Sequence, residues 1–221
     1  MPKSGYPLLH LVVNVESQTP GRRRSRQEVE ADVRAALLRL LDQGKPFKDL
    51  TVDELAREGG LSRTAFYFYF PGKSEVLMSA LEEVAEKLYS EAARWWYGEG
   101  PPEELIRVAL RGTIDVFQRH APLLRTSHEV TTYDPEFAAF YNDRVMERFV
   151  AATTEQLRRD RRIRPLDPVA VAEVLVWMIE RCNNVLIGAR GRDPDHVLEA
   201  YASVWLHALY PDAVVSAGAG S

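Results

Sequence analysis

The sequence predicts an all-α protein of about nine helices, and three observations predict it. Apolar residues recur at three- and four-residue intervals in segment after segment, which gathers them on one helical face. The 13 prolines and most of the 13 glycines fall between those segments, where proline suits a first helical turn and glycine a stop. Period-two alternation bounded by turns, the mark of strands, is missing. The 221 residues are 46% hydrophobic and 27% charged, values that exclude disorder, collagen and coiled-coil rods.

The segments are justified in order. Residues 1–25 read as a flexible basic arm, with Pro2, Gly5, Pro7, Pro20 and Gly21 ahead of Arg22-Arg23-Arg24-Ser25-Arg26. Val29, Val33, Ala36, Leu37, Leu40 and Leu41 make the first helix, from Arg26 to Gln43, and Gly44 stops it. Thr51 with Glu54 is a capping box that starts a short second helix to about Glu58. Gly59-Gly60 break the chain, and Ser62 caps a third helix to about Tyr69. After Pro71-Gly72 a long fourth helix spans Glu75 to Tyr97, with Val76, Leu77, Ala80, Leu81, Val84, Leu88 and Ala92 on one stripe. Five further helices follow: Glu103–Phe117, Pro122 to about Val130, Pro135–Arg159, Pro168 to about Ile187, and Pro194 to near Tyr210. Residues 26–73 form a helix-turn-helix domain, 74–211 a larger helical domain, and 212–221 a flexible tail.

Charge is distributed unevenly along the chain. Residues 1–73 carry 12 Lys+Arg against 9 Asp+Glu, while the remainder carries 16 against 23, so a basic module sits on an acidic body. The single cysteine, Cys182, excludes a disulfide framework and a Cys-based zinc finger, and fits a reducing compartment. Leu8 to Val13 and Val174 to Ile179, the longest apolar runs, fall far short of the ~20 residues a spanning helix needs. No small-residue cleavage site follows the first run, so the expectation is a cytoplasmic protein without a membrane partner.

Two short capped helices joined through Gly59-Gly60-Leu61 are the parts of a DNA reader whose second helix enters the major groove. Helical spacing puts Phe66 and Phe70, with Tyr69, on the inner face against Leu55 and the first helix. Arg63, Thr64 and Tyr67 then face outward and offer a forked donor, a hydroxyl with a methyl, and a phenol to base edges. Three of the five aromatics in Phe66-Tyr67-Phe68-Tyr69-Phe70 are expected to be structural. Lys73, at the start of the fourth helix, is expected to hold a phosphate. The full set assigned to DNA is Arg22, Arg23, Arg24, Arg26, Thr51, Ser62, Arg63, Thr64, Ala65, Tyr67, Tyr69 and Lys73. Core packing explains the aromatic run and a solvated tail explains the arm equally simply; their combination is what is specific.

The stretch from Thr51 to Glu75, TVDELAREGGLSRTAFYFYFPGKSE, resembles the DNA-binding signature of the TetR family of bacterial transcriptional regulators. The likeness extends over residues 26–85, with Gly72 where the family has a small polar residue. Phe-Tyr-Phe-Tyr-Phe-Pro and the C-terminal helical pattern are similar to EthR-like members. The resemblance implies a regulator, usually a repressor, that dimerises through its last two helices and carries a ligand cavity in its larger domain.

The body can be read independently. Val171, Val174, Leu175, Met178, Cys182, Val185 and Leu186 stripe the eighth helix, while Trp177 and Ile179 extend apolar character around it. The ninth repeats this with Val197, Leu198, Tyr201, Ala202, Val204, Trp205, Leu206 and Leu209. Helices apolar on two sides are either central to one protomer or shared in a homodimer through the eighth and ninth helices. Asn183, Asn184 and Glu180 need partners if buried, which favours a cavity among the aromatics. A mostly apolar effector is expected beneath the fourth helix and between the fifth, seventh and eighth. Its lining is assigned to Trp96, Phe117, Tyr141, Trp177, Met178 and Trp205, with Asn183 orienting it.

His10, His120, His128, His196 and His207 lack ligand pairs at three- or four-residue spacing, and no nucleophile elbow, Walker loop or dinucleotide fingerprint is present. No catalytic residue, metal or cofactor is therefore assigned, and Cys182 reads as an inert buried thiol. The rival reading is an all-α enzyme or small-molecule binder that retains the helix-turn-helix for packing alone. The presence of Arg63, Thr64, Tyr67 and Lys73 together favours an operator-binding regulator over it.

Overall fold

The computed structural model describes residues 24–163 and 167–211, which fold as nine helices with no strand among them. The helices are α1 (Arg26–Asp42), α2 (Val52–Glu58), α3 (Arg63–Tyr69), α4 (Lys73–Trp96), α5 (Pro102–Arg119), α6 (Ala121–Val130), α7 (135–159), α8 (168–189) and α9 (Pro194–Leu209), with a 3₁₀ turn at Phe47–Asp49. Most of the expected arm and the tail lie outside the described residues.

Local chemistry sets the ends. Ser25 and Glu28 close a capping box on α1, Ser25 Oγ accepting from the Glu28 amide at 3.1 Å and Glu28 Oε2 from the Ser25 amide at 2.7 Å. Proline occupies the first turn of α5 through α9, where it forfeits no helical bond. Two helices widen locally to π geometry, α7 over Phe140–Met146 and α8 over Asn183–Ala189. Periodicity alone does not foresee either widening, and such bulges often mark functional sites.

Two buried clusters share α4. The first joins Val33, Leu37, Leu55, Phe66 and Phe70 of the head to Val76 through Leu88 of α4, then to Leu123, Phe137, Tyr141 and Met146 of α6 and α7. The second gathers Trp95 and Trp96 at the far end of α4 with Ile106, Leu110 and Ile114 of α5, Leu157 of α7, Leu175 of α8 and Trp205 of α9. Head and body therefore share one continuous apolar core across residues 73 and 74, reinforced where Ser74 Oγ donates to Asp134 Oδ2 at 3.0 Å.

Candidate nucleic-acid interface and internal cavity

The turn between α2 and α3 has room only for glycine at two points. Gly60 has φ +70°, a left-handed conformation that side chains disfavour. A Cβ on Gly59 would lie 2.9 Å from Val33 Cγ2, so α2 packs hard on α1 here. Thr51 Oγ1 accepts from the Glu54 amide at 3.2 Å, and Glu54 Oε2 accepts in return from the Thr51 amide. Lys45 pairs with Glu54 and, with the Thr51 amide, holds that carboxyl below the usual carboxylate range. Thr51 and Ser62 thus act through capping, Ser62 Oγ accepting from the Ala65 amide at 3.2 Å.

The two faces of α3 separate as its periodicity requires. Phe66 and Phe70 are buried in the first core cluster, with Tyr69 packed half-buried beside them. Arg63, Thr64 and Tyr67 are exposed, and Ala65 is half-buried. Tyr69 therefore belongs with the core rather than with the outward set, and its ring carries the Arg26 guanidinium at 5.7 Å. Phe68, which lies outside the set assigned to DNA, is 73% exposed, and its ring meets the Tyr69 ring edge-on at 5.2 Å between centroids. Arg63 donates to Asp53 Oδ2 at 2.8 Å and to the Tyr67 hydroxyl at 3.4 Å, and the carboxylate raises the guanidinium pKa further.

Three basic residues assigned to DNA are already engaged. Lys73 Nζ donates to the carbonyls of Phe47 at 2.9 Å, Lys48 at 3.1 Å and Leu50 at 2.8 Å, which uses all three ammonium hydrogens. In the free chain it caps the 3₁₀ turn, and desolvation pushes its pKa down. Arg24 donates to Asp32 at 2.9 Å and to the Gly60 carbonyl at 3.1 Å, and Arg26 pairs with Glu30 at 2.6 Å. Arg22 and Arg23 lie outside the described residues.

A cavity of about 90 Å³ lies between α4, α5, α7 and α8, with Trp205 of α9 completing the wall. One water needs roughly 10–15 Å³, so the space suits a group of several heavy atoms. Trp96, Phe117, Tyr141 and Trp205 line it as expected, but Trp177, Met178 and Asn183 do not. Trp177 is 40% exposed, Met178 packs in the second core cluster, and Asn183 is buried, accepting from the Tyr201 hydroxyl at 3.0 Å. The inward residues of α8 are instead Val176, Ile179 and Glu180, three and four apart, and Trp177 follows Val176 about 100° further round.

Polar groups in that wall are few. Trp96 donates its indole hydrogen to Thr153 Oγ1 at 3.1 Å. Trp205 Nε1 is buried with no hydrogen-bond partner among the described residues. Glu180 is buried, and its Oε1 accepts from the Tyr141 hydroxyl at 2.8 Å and from Asn184 Nδ2 at 2.7 Å. Burial first, and the adjacent Glu180 second, hold the Tyr141 phenol well above its usual range. Sequence reasoning identified Glu180 as needing a partner but did not place it at the cavity. Among the described residues no three His, Cys, Asp or Glu side chains come together as a metal site, and no helix is long and apolar enough to cross a membrane.

The comparisons with known proteins divide as the architecture does. The tetR-family model of bacterial regulatory proteins matches residues 35–80, and the model of the C-terminal domain of transcriptional regulator EthR matches residues 106–211. The HTH-type transcriptional regulator EthR of Mycolicibacterium smegmatis is 30% identical over 208 residues, covering 88% of this chain and 94% of that protein. EthR of Mycobacterium tuberculosis is 28% identical over 205 residues, covering 86% and 92%. The crystal structure of NalD, the secondary repressor of the MexAB-OprM multidrug efflux pump in Pseudomonas aeruginosa, gives a TM-score of 0.68 over 85% of this chain and 100% of that one, at 18% identity. That last likeness bears on the fold alone. The relatives are regulators and not enzymes, and their similarity runs through both the reading head and the cavity-bearing body: the chain belongs to the TetR family of transcriptional regulators, on its EthR-like branch.

Proposed function

We propose that this regulator is a cytoplasmic repressor that binds a palindromic operator as a two-fold homodimer and releases it when a mostly apolar small molecule fills the internal cavity. The observation that carries the reading is the course of α4. Its 24 residues begin in the head at Lys73 and end in the cavity wall at Trp96, so one rigid element of about 36 Å touches both sites. The outward Arg63, Thr64 and Tyr67 supply the reading face. One seven-residue helix spans only a few base pairs, so selectivity calls for a second copy about one DNA turn away. The surface for that copy is apolar: Val174 (66% exposed) and Trp177 on α8, and Val204 on α9. NalD, a repressor by description, shares the architecture.

Fluorescence anisotropy with duplex from the DNA flanking the coding region tests this. Binding should weaken steeply with salt, and Arg63→Ala or Tyr67→Ala should each lower operator affinity by about 10- to 100-fold without unfolding the chain. Equal affinity for random duplex at every salt concentration would overturn the operator reading. Full affinity in the double variant would remove α3 from it.

A further inference from the structure

Among the described residues Glu180 is the only acid in the cavity wall, and no Lys, Arg or His lines the wall with it. Both of its hydrogen bonds end on Oε1, from Tyr141 and Asn184, and Oε2 has no donor among the described residues. Two basic side chains stand beside the carboxyl but outside the cavity lining: His128 Nδ1 is 3.7 Å from Oε1, and Arg181 donates to His128 Nε2. Apart from Thr113 and Thr153, the remaining wall is aromatic and aliphatic, including Trp96, Phe117, Phe149 and Trp205. A carboxylate facing such a wall has lost much of its hydration, and a bound cation would restore it while gaining the negative faces of the rings.

Resting on the reading that the cavity holds the effector, we propose that the effector class is a lipophilic amine, its protonated nitrogen on Glu180 and its apolar body among the aromatic side chains. The same carboxylate disfavours ligands that are themselves carboxylates. Both π segments serve this site, one carrying Tyr141 and the other Asn184 to the same oxygen, so Glu180 is held in place before any ligand arrives.

The test titrates the full-length protein at pH 7 with 2-phenylethylamine, 2-phenylethanol and phenylacetate, reading tryptophan emission and operator release. These probes share a body and differ in charge. The amine should bind at least tenfold more tightly than the alcohol, with phenylacetate weakest. Glu180→Gln keeps an acceptor for Tyr141 and Asn184; it should weaken the amine far more than the alcohol and so erase the amine's advantage. Amine and alcohol within threefold of each other in the wild type would overturn the amine assignment, while operator release by the alcohol would still uphold a ligand-controlled cavity. Tightest binding by phenylacetate would also overturn it and point to the unpaired Trp205 Nε1 as the group that selects ligands. Failure of all three to bind would overturn both readings. Should Glu180→Gln not fold, the wild-type series decides, and Tyr141→Phe, which keeps the carboxylate, should retain the amine preference.

Discussion

Asp53→Asn should tighten operator binding, although it removes a contact. In the free protein Arg63 Nη1 lies 2.8 Å from Asp53 Oδ2, with both side chains more than half exposed. An arginine that reads a base must turn its fork toward DNA, so part of its interaction with Asp53 is lost on binding. Exposed pairs of this kind shift equilibria by about 1.5- to fivefold. Deleting the carboxylate also takes one negative charge from the face that meets phosphates. The expected result is operator affinity about two- to fivefold higher at 0.15 M salt, with the gain shrinking as salt rises because screening already acts within about 8 Å.

The same substitution should lower stability slightly. Asp53 sits in the first turn of α2, where a negative charge complements the exposed amides. Its loss costs about 0.3–1 kcal/mol, or roughly 1–3 °C in melting temperature for a chain of this size. Anisotropy titrations at three salt concentrations, with a melting curve for each protein, separate the two effects. A double-mutant cycle locates the cause: Asp53→Asn should give little gain once Arg63 is alanine. Equal or weaker binding in folded Asp53→Asn would refute the reasoning, because it would mean the carboxylate holds Arg63 in its DNA-bound posture.

Lys73→Met should destabilise the chain by roughly 1–3 kcal/mol, since three carbonyls lose their shared donor, and should leave the salt slope of operator binding unaltered. A slope reduced by about one with the melting temperature unchanged would instead assign the ammonium to a phosphate. Ala109→Phe, which extends from α5 into the cavity, should abolish ligand-driven release while operator affinity stays within about twofold. A variant that still responds would show that the effector sits elsewhere. Burial raises the phenols of Tyr141, Tyr201 and Tyr210, the last to about 12. Neutral phenol is therefore favoured by folding, and that contribution is complete below pH 10 and lost as pH rises through about 12. Denaturant unfolding at pH 9 and pH 11 should show the loss, reduced in Tyr210→Phe; no change between the two would contradict it.

The helices were readable because each announces itself locally. Thr51 with Glu54, Ser62, the Gly59-Gly60 break and the prolines opening later helices all act within four residues of their own position. What escaped prediction depends on residues far apart. Lys73 looks free in sequence, yet its carbonyl partners lie 23 to 26 residues earlier and only folding brings them to it. Arg24 likewise reaches Gly60 across 36 residues. On α8 the apolar stripe is so broad that periodicity leaves its rotation undetermined, and a turn of about 100° decides between Val176 and Trp177 as cavity wall. The π segments belong to the same class, because the choice between hydrogen-bond partners four and five residues away is settled by packing from neighbouring helices.

The distribution of the core bears on how occupancy of the cavity could reach DNA. Leu81, Ala85 and Leu88 of α4, and Tyr141, Val145 and Met146 of α7, line the cavity and also belong to the cluster that buries Phe66 and Phe70 beneath the reading face. A close-packed interior does not absorb added volume by compression. A ligand larger than the present space must therefore displace one or more of the helices that wall it, and α4 cannot move rigidly without carrying the start of the head at Lys73. In a dimer whose two reading helices must meet successive turns of one groove, about 34 Å apart, a shift of a few ångströms at each head misaligns the pair. The coupling this requires is modest, about 1–3 kcal/mol, or a 5- to 150-fold change in operator affinity. By linkage the operator must weaken the effector by the same factor, so effector titrations with and without saturating operator measure the coupling from the other side.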